Sequence, residues 1–454
     1  MGGGKETPQV NRILPVPNST ASYWRSKPHW LDEYRSTEQL PPQADIVIIG
    51  TGIAGVSTAY HILDRKDNDN APPPSILLLE ARQVCSGATG RNGGHIKKLP
   101  STIVELIQNY GSTAAGEFVK FVRANIYGVK RVIEKEKIEA EAELRRSFDV
   151  SLNKEDASEV KRQFDEQLQS EFPLTEDVNY VGEESAERIT SLYGAVAGLS
   201  TPVLSLWPYK FVTQLLERVL SKGNVNLQTN TAVIAIETDD DGRGYTVNTS
   251  RGQVKTPTIV FATNGYTAGL LPQYRNIITP SKATASHITV PPGQQVPYLS
   301  NTYNIRYASD RVDYLNPRPD GSIVVGGGKW TYEKERELWY DNHDDSTLIE
   351  PARHYFDGLM QRNFRGWEDS GAKTECVWTG IQGITKDGLP HIGKVPGTSG
   401  QYILAGYNGG GMAIAFMAAL AVARMIREGI SFDQTGIPNC LETTQARLDM
   451  GKVH

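Results

Sequence analysis

The amino-acid sequence predicts an α/β protein with two domains, one built on a parallel sheet and a second, of the α+β type, built on a mostly antiparallel sheet. Three observations predict this class. The chain of 454 residues is too long for one simple hydrophobic core. The short apolar run Asp45–Ile49 ends in glycines, as buried parallel strands do. Later segments, Thr279–Trp330 among them, are rich in strand patterns.

Composition and charge argue against several classes. The net charge of -5, without a basic stripe, predicts that nucleic acid is not a partner. Cys85, Cys376 and Cys440 lie too far apart for a disulfide framework or a zinc site, which indicates a reducing compartment and no metal. The apolar stretch Met412–Met425 is too short to span a bilayer and predicts a buried helix. Without a signal-peptide pattern, we expect a cytoplasmic protein with no membrane partner, and its oligomeric state stays open.

The first elements follow from apolar spacing. Residues 1–43 form an N-terminal extension, in which the aromatic stretch Tyr23–Tyr34 packs on the domain surface and the first dozen residues are loose. The strand at Asp45–Ile49 leads into a helix over Ile53–Asp64, and a second buried strand covers Ser75–Glu80. The order strand, helix, strand is that of a dinucleotide-binding fold.

The rest of the chain alternates between helical and strand patterns. Thr102–Ser170 has apolar residues at helical intervals and predicts several helices, so its charge run Glu134–Arg146 is interpreted as a solvated helix face. Alternating residues over Val225–Glu237 and Gly244–Val260 predict strands of a small sheet. An amphipathic helix is predicted over Lys210–Leu220. A strand, a glycine turn and a long apolar helix are predicted within Gln401–Gly429.

The glycine motif Gly50-Thr51-Gly52-Ile53-Ala54-Gly55 joins the first strand to the first helix, and Glu80 ends the next strand. Gly50 permits the tight turn, Gly52 lets the backbone approach a pyrophosphate, and Gly55 lets helix and strand pack closely. The helix N-terminus offers N–H groups and a positive dipole end to the phosphates. Glu80 can accept hydrogen bonds from both hydroxyls of an adenosine ribose. The motif predicts a Rossmann-like dinucleotide site and does not separate NAD from FAD.

Further blocks follow the motif in order along the chain. They are Ala81-Arg82, the loop Ser86–His95, the strand start Thr231–Val233, the strand and turn Ile259–Gly265, and the late segments Trp378–Gly383, Asp387–Pro390 and Gly406–Met412. Together these blocks resemble the D-amino-acid oxidase, glycine oxidase and sarcosine oxidase superfamily of flavoenzymes, the DAO family. In that family the loop wraps the diphosphate and reaches the flavin ring, and the late segments contact the flavin. The resemblance therefore implies FAD as the cofactor.

The resemblance implies a domain plan and a set of FAD contacts. The FAD-binding domain, of the glutathione-reductase type, is assigned to residues 44–100, 200–275 and 371–440, and the substrate-binding domain to residues 101–199 and 276–370. The last apolar helix would direct its dipole at the flavin N1–C2=O edge, where reduction places negative charge. The expected FAD-binding residues are Gly50, Gly52, Ile53, Ala54, Gly55, Glu80, Ala81, Arg82, Ser86, Gly87, Ala88, Thr89, Gly90, Asn92, Gly93, Gly94, Val233, Ala262, Thr263, Gly265, Gly383, Asp387, Gly409, Gly410, Gly411 and Met412.

The resemblance also bears on covalent attachment of FAD. Relatives of dimethylglycine dehydrogenase attach FAD through a histidine at the place where this chain has Arg91, so that linkage is not expected. Monomeric sarcosine oxidase and fructosyl-amine oxidases use a cysteine shortly before the late aspartate. Cys376 lies near that register, but Gly380–Gly383 lengthens the intervening turn, and a free cysteine is usually buried as a small hydrophobe. We expect non-covalent FAD, with Cys376 as the candidate for a covalent bond.

The catalytic candidates are His95, Arg306, Tyr307, Arg318 and Lys329. In the family a sheet of the substrate domain covers the flavin, and the strand-rich stretch around Arg306 is interpreted as part of it. Arg306 or Arg318 would clamp a substrate carboxylate through two hydrogen bonds, although most arginines are solvated. His95 either faces the flavin and tunes substrate protonation or is a hydrogen-bonded structural residue. Some relatives place a lysine near flavin N5, but the register of Lys329 favours an exposed position.

The implied activity is oxidation of a C–N bond in an amine or amino acid, that is, an amine oxidase. Hydride passes to flavin N5, the product is an imine, and O2 is reduced to H2O2. Two alternatives stay open: an amine dehydrogenase that uses another electron acceptor, and a non-catalytic flavin-binding protein. A nicotinamide-dependent reductase would need a second dinucleotide motif, and Gly326-Gly327-Gly328 lacks its spacing. The expected partners are a small amine or amino-acid substrate and O2.

Overall fold

The computed structural model of the protein describes residues 13–64, 72–97, 100–169, 177–240 and 242–452. In chain order, the strands are β1 (Ile46–Ile49), β2 (Ile76–Leu79), β3 (His95–Ile96), β4 (Glu143–Ser151), β5 (Asn179–Val181), β6 (Ala197–Ser205), β7 (Val225–Gln228), β8 (Val233–Thr238), β9 (Tyr245–Thr249), β10 (Gly252–Thr256), β11 (Thr258–Phe261), β12 (Ile278–Thr289), β13 (Thr302–Ala308), β14 (Arg311–Pro317), β15 (Ile323–Gly326), β16 (Lys373–Thr385), β17 (His391–Lys394) and β18 (Gln401–Ala405). The helices are α1 (Ile53–Leu63), α2 (Pro100–Glu136), α3 (Lys154–Leu168), α4 (Glu183–Thr190), α5 (Pro208–Ser221), α6 (Leu359–Asn363), α7 (Ala415–Glu428) and α8 (Gln445–Asp449).

A six-stranded sheet, in the order β17-β18-β11-β1-β2-β7, carries the glycine motif. Its strands pair in parallel, except that β17 runs antiparallel to β18. Successive side chains of β1 point to opposite faces of the sheet. Ile46 and Ile48 pack with residues of α1, α5 and α7, whereas Val47 and Ile49 pack with the three-stranded sheet β10-β9-β8. Because both faces are covered, β1 is apolar throughout, as predicted.

The small sheet predicted after the amphipathic helix is only partly confirmed. β8, β9 and β10 form it as an antiparallel sheet. β7 and β11, at the two ends of the predicted segments, instead pair in parallel with β2 and β1 in the six-stranded sheet. Strands of four residues are too short for their alternation to show which sheet they join.

The second large sheet has the order β16-β12-β15-β14-β13-β4-β6-β3, with β5 paired to β6. Its pairs are antiparallel apart from β13 with β4, which confirms the predicted mostly antiparallel sheet. Phe148 of β4, Ile305 of β13 and Leu315 of β14 pack into a core on one face of this sheet. The residues between them in each strand therefore point to the opposite face.

The prediction of helices throughout Thr102–Ser170 is wrong for one segment. α2 and α3 occupy the two ends, but Glu143–Ser151 between them forms the strand β4. α2 ends at Glu136, so the charge run Glu134–Arg146 is not a single helix face. The charged residues at the start of β4 precede five residues that are all buried, so the segment lacks the regular alternation by which a strand is recognised in sequence.

The aromatic stretch of the N-terminal extension is buried more deeply than predicted. Trp24 has no exposed surface, and its Nε1 donates to the Asn92 carbonyl at 2.5 Å. The Nε1 of Trp207 donates to the Trp24 carbonyl at 2.6 Å. Trp30 and Tyr34, by contrast, are exposed. Trp24 thus anchors the extension beside the loop that precedes β3, and residues 1–12 lie outside the described residues.

The apolar stretch near the C-terminus forms the predicted buried helix. α7 packs against α1 and contributes most of its side chains to the core on that face of the six-stranded sheet. Within the described residues, no helix is both long and apolar enough to cross a bilayer. The same part of the chain contains no cluster of three or more His, Cys, Asp or Glu side chains arranged to hold a metal ion.

Candidate active site

A cavity of about 500 Å³ joins the six-stranded sheet to the second large sheet. It begins at the turn after β1, passes the loop before β3 and ends at the strands β4, β13 and β14. We call it the central cavity. Its size is typical of a site for a cofactor or another small molecule.

The turn between β1 and α1 forms one end of the central cavity. A Cβ on Gly55 would overlap the carbonyl oxygen of Gly50, so only glycine allows α1 to pack directly behind the turn. α1 follows Gly52, which has no side chain to cap the helix, and the Ile53 N–H donates to the Thr89 Oγ1 at 3.1 Å. The first residues of α1 line the cavity, which places a helix N-terminus where phosphate groups bind in such folds.

Glu80, at the end of β2, holds the shape of this turn. Its Oε2 accepts hydrogen bonds from the N–H and the hydroxyl of Thr51, at 3.0 and 2.6 Å. Its Oε1 accepts a hydrogen bond from the Arg82 N–H at 3.1 Å. A carboxylate has about four acceptor positions, so about one remains for a ribose hydroxyl, fewer than predicted.

A buried cluster around Asp345 closes the wall beside the loop Ser86–His95. Arg82 donates to both carboxylate oxygens of Asp345, at 2.8 and 3.0 Å, and Nε of Arg91 lies 3.6 Å from the same carboxylate. Arg91 also donates to the carbonyls of Thr379 and Thr20, at 2.6 and 2.7 Å. We call these five residues the Asp345 cluster. The cluster ties the N-terminal extension and β16 to the loop.

The late glycine cluster lines another side of the central cavity. A short 3-10 turn, Gly411–Ala413, separates it from α7, which begins at Ala415. Asn125 of α2 fixes this turn, since its Nδ2 donates to the Met412 carbonyl at 3.0 Å. The 3-10 turn lines the cavity, so its N–H groups stand nearer to the cavity than those of α7. The distance matters because the effect of a helix dipole falls off within about one turn.

Six side chains that line the central cavity have buried polar atoms without a hydrogen-bond partner among the described residues. These atoms are Arg82 Nε, Ser86 Oγ, His95 Nδ1, Asp149 Oδ1, Tyr266 Oη and Tyr407 Oη. Buried polar groups in native proteins nearly always have partners, so a bound ligand or ordered water has to supply the missing ones along this cavity. At Gly87, the space that a Cβ would enter is open. A helix N-terminus, a carboxylate and unpaired donors along one cavity fit the phosphates, ribose and ring of FAD.

Most of the expected FAD-binding residues line the central cavity. They are Gly50, Gly52, Ile53, Ala54, Glu80, Ala81, Arg82, Ser86, Gly87, Ala88, Thr89, Asn92, Gly93, Val233, Ala262, Thr263, Gly409, Gly410, Gly411 and Met412. The fold brings these separate blocks of sequence to one cavity, which makes all of them candidates for contact with FAD.

Six of the expected FAD-binding residues do not line the central cavity. They are Gly55, Gly90, Gly94, Gly265, Gly383 and Asp387. The glycines allow close packing: a Cβ on Gly94 would stand 2.5 Å from the Trp24 ring, and one on Gly265 would stand 2.6 Å from the Gln382 carbonyl oxygen. Asp387 accepts two hydrogen bonds from the Arg447 guanidinium, at 2.7 and 3.1 Å. The glycines thus serve close packing, and Asp387 is engaged with Arg447.

Three of the five catalytic candidates also lie away from the central cavity. Tyr307 packs against the core on the far face of the second sheet. Arg318 is buried and donates to Glu141 at 2.9 Å, so it does not reach a substrate in the cavity. Lys329 is exposed, with Nζ 4.2 Å above the Trp339 ring, in the surface position that its register favours.

The other two candidates, His95 and Arg306, line the central cavity. Nε and Nη2 of Arg306 donate to the two oxygens of Asp156, at 3.0 and 2.7 Å, so the fork expected to clamp a substrate carboxylate is engaged within the protein. Burial, and then the positive charge of Lys97, hold the pKa of His95 well below its usual value. The His95 imidazole is therefore neutral at physiological pH.

Sequence reasoning missed several residues of the cavity wall. Lys97, Asp149 and Asn304 line the end of the cavity at β4, β13 and β14, which we call the substrate-sheet end. Leu14 and Pro15 line the cavity from the N-terminal extension. Lys97 lies two residues after His95 in an extended segment, so it shares a side of the chain with a recognised candidate, and that spacing could have found it. Asp149 gave no such signal because its strand was assigned to a helix.

A dinucleotide turn that shares one cavity with an antiparallel sheet defines the class of the protein, an FAD-dependent oxidoreductase. Residues 45–425 match the family described as "DAO: FAD dependent oxidoreductase". The chain belongs to this family, which confirms the resemblance and FAD as the cofactor.

Individual relatives are distant in sequence and similar in fold. The γ-glutamylputrescine oxidoreductase of Escherichia coli (strain K12) is 22% identical over 399 residues, which cover 84% of this chain and 83% of that protein. The crystal structure of glycine oxidase from Geobacillus kaustophilus has a TM-score of 0.67 at 17% identity and covers 89% of this chain and 99% of that one. The FAD-bound L-α-glycerophosphate oxidase of Mycoplasma pneumoniae has a TM-score of 0.61 at 17% identity, with coverages of 85% and 94%.

The position of Cys376 predicts that FAD is held without a covalent bond. Cys376 does not line the central cavity, and it pairs across the sheet with His287. Burial raises the pKa of its thiol to about 11, so the nucleophilic thiolate is scarce at neutral pH. Acid precipitation is expected to leave all of the flavin in the supernatant, for the unmodified protein and for Cys376→Ala alike. Flavin that stays with the precipitate of the unmodified protein alone would show a bond to Cys376.

Proposed function

We propose that the protein is an FAD-dependent oxidase that converts a C–N bond of an amine into an imine. Two electrons and two protons leave the substrate and are taken up by O2, which gives H2O2. The observation that carries this proposal is the continuity of the central cavity, which runs from the dinucleotide turn to the side chains of the second sheet. When bound, FAD supplies the acceptor for the hydride that leaves the substrate carbon. The residues of the second sheet then have to hold the substrate and exclude water.

The substrate-sheet end of the cavity suits a neutral amine. Tyr314 and Val312 of β14 provide apolar wall, and the Tyr314 ring stands edge-on to His95, with centroids 5.6 Å apart. Because its imidazole is neutral, His95 does not repel a substrate that approaches in a cationic form. Its Nδ1 is buried without a partner among the described residues, and a hydrogen bond with the substrate nitrogen would supply one. We assign His95 the role of orienting that nitrogen.

The relatives support an amine substrate without deciding it. γ-Glutamylputrescine oxidoreductase and glycine oxidase are named for substrates that carry an amine, whereas L-α-glycerophosphate oxidase is not. Fold alone therefore leaves the reacting group open. A neutral imidazole beside an aromatic wall is what favours C–N chemistry at this site.

Peroxide release and flavin reduction together test the proposed function. The holoenzyme is incubated in air with primary amines, diamines, N-methyl amino acids and D- and L-amino acids, and with glycerol phosphate as a control without nitrogen. The proposal predicts H2O2 from at least one amine and none from the control. Anaerobic bleaching by an amine without peroxide in air would indicate the dehydrogenase instead. No bleaching by any member of the panel would indicate a flavin-binding protein without this activity.

A further inference from the structure

A row of three side chains crosses the substrate-sheet end of the central cavity. Asp149 of β4 pairs with Asn304 of β13, and Asn304 pairs with Tyr314 of β14. All three side chains line the cavity. Neighbouring strands lie about 4.8 Å apart, so the backbone positions of Asp149 and Tyr314 are about 10 Å apart. Tyr314 packs on Gly93, where a Cβ would stand 2.6 Å from its ring, so the row begins beside the loop before β3 and ends at Asp149.

Lys97 is the cation nearest to the middle of this row, and its hydrogen bonds are already made. Its Nζ donates to Ser147 Oγ at 2.9 Å, to Asn304 Oδ1 at 2.8 Å and to the Tyr303 carbonyl at 3.5 Å. An ammonium group has three N–H donors, so these acceptors use them all. Burial also lowers the pKa of Lys97 to about 7, which reduces its charge near neutral pH. Lys97 is therefore poorly placed to bind a substrate carboxylate.

The arginines that line the central cavity are engaged as well. Arg306 is held by Asp156, as described above. Arg82 and Arg91 belong to the Asp345 cluster at the other end of the cavity. Recognition of a substrate carboxylate by an arginine fork needs two parallel N–H donors on one guanidinium. Among the described residues, the cavity wall does not present such a free fork toward a substrate.

Asp149 has the opposite character, because it is a buried carboxyl group with an unused acceptor. Its side chain is 9% exposed, and Oδ1 has no hydrogen-bond donor in the described part of the chain. Burial raises the pKa of Asp149, while the charges of Arg306 and Lys97 act to lower it. A buried carboxylate oxygen without a donor is unfavourable, and such groups in native proteins usually have a partner that a ligand or water supplies.

We propose that Asp149 binds a second, distal ammonium group of the substrate, so that the substrate class is a linear diamine or polyamine. This inference rests on the proposed function and names its substrate. The reacting nitrogen has to be neutral when the C–N bond is oxidised, and a carboxylate beside it would favour the protonated form. Asp149 therefore suits a nitrogen that does not react. The backbone positions of Asp149 and Tyr314, two strand spacings or about 10 Å apart, are compatible with a carbon chain between the two nitrogens.

The test compares diamines with monoamines of equal chain length on the holoenzyme. Putrescine is paired with butylamine and cadaverine with pentylamine, and kcat/KM is measured from peroxide release. The unmodified protein is expected to prefer each diamine. In Asp149→Asn, kcat/KM for the diamines is expected to fall at least about 30-fold, as when one partner of a buried charge pair is lost, while the values for the monoamines stay within about threefold. The ratio between the members of a pair cancels effects on flavin content.

A binding measurement and a conservative variant make the test independent of turnover. Diamines are expected to raise the melting temperature of the holoenzyme more than monoamines do, and Asp149→Asn is expected to lose that difference. Asp149→Glu keeps the charge and extends it by one methylene, so its preference is expected to shift toward the shorter diamine. Asp313→Asn removes a buried carboxylate on the opposite face of β14, where both oxygens have donors, and is expected to leave the diamine-to-monoamine ratio unchanged.

The outcomes separate this inference from the proposed function. Equal kcat/KM for diamine and monoamine in the unmodified protein, or an unchanged ratio in Asp149→Asn, overturns the role of Asp149 even if amines are oxidised. Stabilisation by diamines that depends on Asp149, without peroxide or bleaching from any amine, supports the binding site and contradicts the oxidase. A preference for amino acids over diamines that is lost in Arg306→Met would show that the cavity selects a carboxylate instead.

Discussion

Replacing Gly55 with alanine is expected to give a protein that purifies without FAD and unfolds more easily. The added Cβ would overlap the carbonyl oxygen of Gly50 and would lie 3.3 Å from Ile48 Cγ2. The obstacle is backbone, so relief requires the turn between β1 and α1 to open, and that turn forms the nucleotide end of the central cavity. Overpacking costs about 1–3 kcal/mol and occasionally more, and we expect a loss of about 3 kcal/mol in the free energy of unfolding. Flavin absorbance per protein and denaturant unfolding measure the two effects.

Gly182→Ala is the matched control for this substitution. Gly182 precedes α4 with a φ of -86°, and the nearest atom to its added Cβ is on the Tyr180 ring, at 3.6 Å. The same chemical change is therefore made without overlap. Its effect on the free energy of unfolding is expected to stay below about 1 kcal/mol, with full flavin content. If Gly55→Ala behaved like Gly182→Ala, the close approach of α1 to the turn would not be what holds the cofactor site.

Asp345→Asn is expected to destabilise the protein by about 3–5 kcal/mol, because it leaves the two guanidinium groups of Arg82 and Arg91 buried without their carboxylate. Asp345 has no exposed surface, and Arg82 binds both of its oxygens. The wall that these residues form lies beside the loop that is proposed to hold the diphosphate. We therefore expect FAD to dissociate from Asp345→Asn at lower denaturant concentration than from the unmodified protein.

An exposed arginine–carboxylate pair that also forms two hydrogen bonds provides the control. Glu350 accepts two hydrogen bonds from Arg353, at 2.7 and 2.6 Å, with side chains 67% and 46% exposed. Such surface pairs contribute about 0–1 kcal/mol, so Glu350→Gln is expected to change little. Denaturant unfolding of both variants tests whether burial, rather than the contact itself, makes the Asp345 cluster important. Similar small losses in the two variants would show that the cluster does not hold the wall.

The nucleotide end of the site could be predicted because the residues that it requires lie close together in the sequence. The turn needs glycine at Gly50 and Gly55 for reasons of space, and Glu80 ends the next strand of the same unit. These requirements operate over a few residues and leave a pattern in the sequence. The resemblance then extended the site to distant blocks, of which most line the cavity and a few do not.

The substrate end could not be predicted in the same way. Asp149 and Tyr314 become neighbours of one cavity only through the pairing of β4, β13 and β14, which are far apart in sequence. Charged residues at the start of β4 concealed its strand pattern, and Arg306 and Arg318 looked equivalent until their partners were known. The pairing of strands that are distant in sequence decides which charged side chains lack a partner. The composition of the chain contains no information about that pairing.

The position of Thr20 in the Asp345 cluster has a consequence for the order in which the protein is made. Thr20 is translated early, but its hydrogen-bond partner Thr379 follows 359 residues later. Closing so long a loop is slow and entropically unfavourable, and it cannot begin before most of the chain has left the ribosome. The wall beside the loop Ser86–His95 is therefore completed late in synthesis, after Thr379 has joined the Asp345 cluster.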